Sequence, residues 1–411
     1  MSFLYILPNE LLIIIFNFCD VYTLSQIKMV CRKFREISYK ILNKKTEHLL
    51  VTNQVSEKFR ERCKPVLSCD FQFITNHNWN NKIYTKSTIG KWNRANSFSN
   101  IINRLQMTKN MVLLCNENSL FAYNRANDGT IQMSKKATVF SSSPFTDFVC
   151  CNDKIISGHK DGRIRHWEIK LSDEKNYSEQ LLTHCNVHYD IRHIDATSEH
   201  IISGSLNSIK IHKYTHENSY DFEKFYNTKY EVQSMLFDPT GTQFAVSTFT
   251  KYPQHLLSHL IYDINKNYPV INKEEDCSNY RLKLGAFQLL WEDSHTILMC
   301  YDSYINKMDT RTSEIVRTLN CSSQKGILTC FTTDNLYTIL TGTNHNEIFL
   351  WDQRQNAHIQ TYKNRRKQDG IYSVQFDSAH LYVGTGNNLF QYDFKERDNS
   401  RKKKYILSNF F

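Results

Sequence analysis

Apolar and polar positions divide this 411-residue chain into two regimes of different period. Between Leu7 and Leu42 the apolar residues recur at helical spacing. Leu11, Leu12, Ile15, Phe16 and Cys19 stand at i, i+1, i+4, i+5 and i+8 and predict one apolar helix face. Pro8 suits the first position of that helix, where its missing N–H would have no partner and its φ is already helical. Asp20 or Thr23 can cap a second helix, on which Leu24, Ile27, Val30, Cys31 and Phe34 recur. That register fits either one continuous helix or two short ones meeting near Val30. A unit of roughly forty residues is at the size below which a single core is rarely stable alone, so its apolar faces need a partner.

From about residue 107 the pattern changes to short strand-like runs in units of 41 to 50 residues, marked by Tyr123, Trp167, His212, Tyr262, Met308, Trp351 and Tyr392. The clearest units are Ile155-Ile156-Ser157-Gly158 leading to Ile164–Glu168, and Ile339-Leu340-Thr341-Gly342 leading to Ile348–Asp352. Each reads as two adjacent strands joined by a tight turn, with Asp161-Gly162 and Asn344-His345-Asn346 supplying the turn chemistry. A strand such as Tyr372–Phe376 precedes each pair, and another such as His358–Tyr362 follows it. Four strands per unit of this length fit a propeller blade, and these residues resemble the WD-repeat family. Seven units imply seven blades. The match is uneven: only Trp351-Asp352 spells the family dipeptide, and the fourth unit carries an insertion around Lys251 to His259. Any single unit also fits an open solenoid or a sandwich. Ring closure needs one terminus to lend an outer strand, and the stretches Ser87 to Trp92 and Lys404 to Leu407 are the candidates.

Residues 43 to 106 show little periodicity, yet Phe71, Phe73, Trp79 and Trp92 are too much apolar surface to leave in water. This segment is expected to pack on the propeller and fix the angle of the helices. The predicted organisation is thus 1–45, a small all-α unit; 46–106, a connecting segment; 107–396, an all-β seven-bladed propeller; and 397–411, a basic tail.

Composition excludes more than it selects. Apolar residues at 40% and aromatics at 13% supply a large core. The formal charge of +10 comes from 51 basic and 41 acidic residues spread along the chain, a mild excess that does not call for nucleic acid or a membrane surface. Twelve scattered cysteines without a CxxC pair read as reduced thiols of a cytosolic or nuclear protein rather than as a disulfide framework or a zinc site. The apolar run Leu11 to Cys19 is too short to span a bilayer, and no basic region precedes it as in a signal peptide. Glycine-rich phosphate loops, HExxH and GxSxG are absent, so no catalytic or cofactor site is expected. His184 and His188 have i, i+4 spacing, but in a predicted loop that spacing does not bring two ligands together.

The residues Leu7-Pro8-Asn9-Glu10-Leu11-Leu12, Ile15-Phe16 and Val30-Cys31-Arg32-Lys33-Phe34-Arg35 resemble the F-box family over about residues 3 to 42. An amphipathic piece of a larger core is the alternative. The resemblance implies binding to the Skp adaptor and, through it, to the cullin and RING subunits of a ubiquitin ligase. It assigns Leu7, Pro8, Leu11, Leu12, Ile15, Phe16, Val30, Cys31 and Phe34 to the adaptor interface. An F-box followed by a WD-repeat propeller resembles the substrate receptors of such ligases, and among them the dactylin type. The propeller would then hold an unidentified client protein. A scaffold for complex assembly, independent of any ligase, is the alternative. Lys160 and Arg163, with Arg365, Arg366 and Lys367, are candidates to receive an acidic or phosphorylated client segment, because guanidinium groups on loops of a rigid scaffold suit that chemistry. The same charges equally fit a solvated loop, and Arg401 to Lys404 fits either a nuclear-import signal or a solvated tail.

Overall fold

The computed structural model describes residues 6–92, 104–151, 154–171, 176–184, 190–216, 219–249, 256–276, 285–321, 326–363 and 370–395. Five helices come first: α1 (Asn9–Asn17), α2 (Val21–Ile27), α3 (Arg32–Thr46), α4 (Glu57–Arg62) and α5 (Cys69–Asn80). Two short helices, not one, follow α1. Asp20 caps α2 by accepting from the Thr23 N–H at 2.5 Å, and Cys31 is the N-cap of α3, its Sγ accepting from the Phe34 N–H at 3.5 Å.

Seven four-stranded antiparallel sheets form the rest, each sheet one blade of a propeller. Blade 1 runs from Leu105 to Phe140, blade 2 from Phe145 to His184, blade 3 from His193 to Asn227 and blade 4 from Glu231 to Asp276. Blade 5 runs from Gln288 to Asn320 and blade 6 from Leu328 to Lys363. Blade 7 is built from both ends of the chain: Ile371–Phe376, His380–Thr385 and Asn388–Asp393, with Thr85–Lys91 as its outermost strand. Thr85 pairs with Asp393 and Lys91 with Asn388. The N-terminal candidate therefore closes the ring, while Lys404 to Leu407 lies outside the described residues.

Burial explains why the repeat reads as it does. The second strand of each blade is covered on both faces, so His200–Ser205, Thr338–Thr343 and His380–Thr385 are buried at every position and show no alternation. The outermost strand Glu314–Asn320 is wetted on one face and largely alternates. The glycine ending the runs Ile155–Gly158 and Ile339–Gly342 makes room for the next blade. A Cβ on Gly158 would lie 2.5 Å from Ile191, and one on Gly342 would lie 2.6 Å from Ile371. The register residues sit on the third strand of each blade; Trp167 Nε1 donates to Ser157 Oγ at 2.8 Å and Trp351 Nε1 to Thr341 Oγ1 at 3.0 Å.

Innermost strands of adjacent blades are stitched by side chains. Gln106 accepts from the Cys150 N–H at 2.9 Å, Asp147 from Ile194 at 3.1 Å, Asp195 from Phe237 at 2.7 Å, and Ser373 from Leu105 at 2.9 Å. These acceptors satisfy backbone donors that no strand of the same blade can reach.

The connecting segment packs beneath blades 6 and 7. Leu50, Val51, Phe59, Cys63 and Trp79 share one apolar cluster with Leu340, Tyr362, Phe376, Leu381, Tyr392 and Phe394. Trp79 stacks on Phe394 at 3.7 Å, donates from Nε1 to the Ser378 carbonyl at 3.1 Å, and its own carbonyl accepts from Tyr362 OH at 2.6 Å. Trp79→Ala removes this indole from a fully buried site and is expected to cost about 3–5 kcal/mol. Urea unfolding followed by fluorescence checks this; a loss below about 1 kcal/mol would mean that the segment is not part of the propeller core.

Candidate functional site

The three N-terminal helices and α5 fold around one small core. Leu12 and Phe16 of α1 meet Val21 and Leu24 of α2, Phe34, Ile37, Ile41 and Leu42 of α3, and Phe73 and Ile74 of α5. Phe16 and Phe34 pack edge to face at 5.3 Å. Polar ties hold the frame: Ser25 Oγ donates to Asp70 at 2.6 Å, Lys28 pairs with Asp70, and Lys33 Nζ donates to the Leu7 carbonyl at 2.7 Å.

This core uses only part of the apolar surface. The expectation of a single face holding Leu11, Leu12, Ile15 and Phe16 is corrected here. Successive helix residues turn by about 100°, so Leu12 and Phe16 can point inward together only if Leu11 and Ile15 point elsewhere. Leu12, Phe16 and Phe34 are buried, whereas Leu11 and Ile15 are exposed. Leu7 and Cys31 are half-buried against the core, and Pro8 is exposed at the N-cap of α1, its carbonyl accepting from the Leu12 N–H at 3.2 Å. Among the assigned residues, Leu11, Ile15 and Val30 thus offer apolar surface to a partner, while Leu12, Phe16 and Phe34 build the frame behind it.

Four strongly exposed residues extend that surface and were not singled out from the pattern: Ile6, Ile14, Phe18 at 85% exposure and Met29 at 70%, beside Val30 at 68%. A detectable signal was present. Leu11 to Phe16 is six consecutive apolar residues on a helix of nine, more than one buried stripe can absorb. Exposed apolar surface of this kind on so small a unit is a feature common at protein interfaces.

A propeller has two rims. Turns between first and second strands, and between third and fourth, lie on the rim that carries α4 and α5; the other turns lie on the opposite rim. Lys160 and Arg163 belong to the turn between Lys154–His159 and Ile164–Leu171, so they occupy the rim away from the helices. Both are exposed. Gly162 takes φ +76° in this turn, and Asp161 accepts from Arg165 Nη2 at 2.6 Å. Arg365, Arg366 and Lys367 lie outside the described residues, as does His188. Among the described residues no group of three His, Cys, Asp or Glu side chains is placed to hold a metal ion, and no helix is long and apolar enough to cross a membrane.

Titratable groups inside the propeller are shifted in opposite directions. Desolvation pushes His159 down to about 4, His193 to about 3 and His259 to about 4, aided by Arg165, by Arg104 and Arg192, and by Lys273 respectively. Desolvation pushes the Asp195 carboxyl up to about 6, against the N–H groups of Phe237 and Ala196 and the charge of Arg104. Histidines lowered from 6.5 stabilise the fold above pH 6.5, and that contribution is lost as pH falls toward 4. Asp195 has the opposite sign: its raised value favours the fold below the ordinary carboxylate range, and this is lost as pH rises through about 6. Asp195→Asn is therefore expected to raise the urea midpoint more at pH 7.5 than at pH 5. An equal rise at both pH values would show that the carboxyl is not ionised against this desolvation.

Known proteins resemble this chain as follows. Residues 4–46 match the family described as F-box-like. The chain is 23% identical over 407 residues to the human (Homo sapiens) F-box/WD repeat-containing protein 4, covering 95% of this chain and 92% of the relative. It is 24% identical over 411 residues to the mouse (Mus musculus) F-box/WD repeat-containing protein 4, covering 95% and 93%. Among solved structures, the WD40 beta propeller domain of Doa1 superposes with a TM-score of 0.55 at 13% identity, covering 77% of this chain and 98% of that one, which speaks to the fold.

Proposed function

We propose that this chain is the substrate-receptor subunit of an SCF-type ubiquitin ligase, its helical unit binding a Skp-type adaptor and its propeller a client protein. The observation that carries the reading is the exposed apolar surface of Leu11, Ile14, Ile15, Phe18, Met29 and Val30 on a unit that matches the F-box-like family. Correspondence along nearly the whole length of the F-box/WD repeat-containing protein 4 sequences supports membership of the F-box/WD-repeat family. Chain length and weak repeats favour the dactylin type within it.

Catalysis in this reading is positional. Holding a client on the propeller while the adaptor side is docked raises the effective concentration of client lysines near the conjugating enzyme, and asks no chemistry of this chain. Contact with the adaptor falls to the six exposed residues, and Leu12, Phe16 and Phe34 set their spacing from within. A few apolar anchors of this kind carry most of the energy of such an interface. Contacts between residues 50–80 and the propeller support a defined angle between the two ends. With that rim occupied by helices, the rim of Lys160 and Arg163 is the one we assign to the client, together with Arg365, Arg366 and Lys367.

Leu11→Asp with Phe18→Asp is expected to weaken adaptor capture at least a hundredfold while leaving the melting temperature nearly unchanged, because both side chains already face water. Phe16→Asp is expected to unfold the helical unit instead, since it buries a carboxylate. Adaptor capture at wild-type strength by the double variant would sink the reading.

For the other end, Lys160→Glu, Arg163→Glu, Arg365→Glu and Arg366→Glu combined should deplete clients captured from cells and leave the adaptor complex intact. An unchanged client set would remove these residues from the client site.

A further inference from the structure

The turn between first and second strands carries an aspartate in each of blades 4 to 7: Asp238, Asp293, Asp334 and Asp377. Each caps its own turn through Oδ1, and Asp238 also accepts at Oδ2 from the Thr240 N–H at 3.1 Å. Asp238 Oδ1 accepts from the Gln243 N–H at 2.8 Å, Asp293 Oδ1 from His295 at 2.7 Å, Asp334 Oδ1 from Thr338 at 2.8 Å, and Asp377 Oδ1 from His380 at 2.7 Å. That arrangement leaves the second oxygen of Asp334 and of Asp377 for the rim beneath the propeller.

Across this rim lies α4, with Phe59 fully buried against Phe376 at 5.2 Å. Arg62 Nη2 donates to the Thr333 carbonyl, and burial lowers the pKa of its guanidinium although Asp334 and Asp377 partly offset this. The Arg62 guanidinium also sits over the rings of Phe59 and Phe376, at 5.0 and 5.3 Å. Asp334 Oδ2 accepts from Asn53 Nδ2 at 3.0 Å, and Asp377 Oδ2 from Arg125 Nη2.

Arg125, at the end of the third strand of blade 1, is the group that joins these parts. Its side chain is fully enclosed. Nη1 donates to the carbonyls of Arg62 at 2.8 Å, Thr108 at 2.8 Å and Lys109 at 3.2 Å; Nη2 donates to Asp377 and to the Lys64 carbonyl at 3.4 Å. One planar fork therefore binds the chain leaving α4, the lower turn of blade 1 and the lower turn of blade 7. A lysine, with a single point charge, cannot span them. Burial pushes the Asp377 carboxyl up, but His380 and Arg125 beside it more than offset this and hold it below its ordinary value.

We propose that Arg125 is a positioning residue that locks the helical unit to the propeller, with Asp377 receiving its fork and Asp334 receiving Asn53 across the same rim. The lock holds the helices at one angle across the seam where the ring closes. It gains its use from the receptor reading above but is tested independently of it.

Hydrogen exchange on the full chain reads the lock directly. Arg125→Met is expected to speed amide exchange across residues 57–80 at least tenfold, while the inner strands of blades 3 to 5 stay within twofold and adaptor affinity is unchanged. Small-angle scattering of the same variant should show a broader distribution of distances. Arg125→Lys keeps the charge beside Asp377 but not the fork, so it should retain protection in blades 1 and 7 and still lose it in α4. Asp377→Asn, which keeps the turn-capping oxygen, should give the same split at smaller amplitude. Unchanged exchange at residues 57–80, or loosening shared by all seven blades, would overturn the proposal. Global unfolding of both Arg125→Met and Asp377→Asn would overturn it too, because Arg125 would then serve ring closure alone. Failure of the wild-type chain to bind an adaptor would remove the receptor reading and leave this result standing.

Discussion

Ring closure is the constraint on which the other features depend. A propeller whose last blade lacks an outer strand exposes a row of unpaired backbone donors and acceptors, and here the strand that covers them is Thr85–Lys91. Only residues 81–84 separate it from the end of α5. Four residues span at most about 14 Å, so α5 has no choice of location: it must lie under blade 7, where the closing strand begins. Tyr84, packed against Tyr362, Tyr392 and Phe394, occupies that short connection. The helices are thus attached to the propeller by the same piece of chain that completes it.

From that placement follows a difference between the two rims: among the described residues, the helices lie on one rim and not on the other. Beneath the ring, Trp79, Phe59 and Val51 extend the core of blades 6 and 7, and Arg62 of α4 lies over the Phe59 and Phe376 rings. Asp334 and Asp377 each cap their own turn through Oδ1 and accept at Oδ2 from Asn53 and Arg125. The opposite rim carries Lys160 and Arg163 on a tight turn held by Asp161 and Gly162. At the far end of the helical unit, α1 is anchored through Leu12 and Phe16 and shows its remaining apolar residues to water. Such a surface costs free energy until something covers it.

Polar groups inside the propeller do a different job. Inner strands of neighbouring blades do not hydrogen-bond to each other as a sheet, and Gln106, Asp147, Asp195 and Ser373 reach across to satisfy backbone donors on the next blade. The arrangement desolvates Asp195 and surrounds His193 with Arg104 and Arg192, so these groups titrate far from their usual range. Their shifts follow from desolvation and from the charges beside them.

Much of this architecture is legible in the sequence because it rests on periodicity. Trp167 and Trp351 mark the third strand of their blades, Ile-Ile-Ser-Gly marks the doubly covered second strand, and the helical spacing from Leu11 to Phe34 marks the N-terminal unit. These signals are local: they depend on which face of a strand or helix is covered, and the chain itself carries that information. Three matters were decided only by tertiary structure. Which of two stretches closes the ring depends on where α5 is held. Which apolar residues of α1 face inward depends on the placement of α2 and α3, since Leu11 and Leu12 are alike in chemistry and differ only in direction. The grouping of Arg62, Arg125, Asp334 and Asp377 depends on bringing together residues up to 315 positions apart, and spacing along a chain holds no record of contacts made across a closed ring.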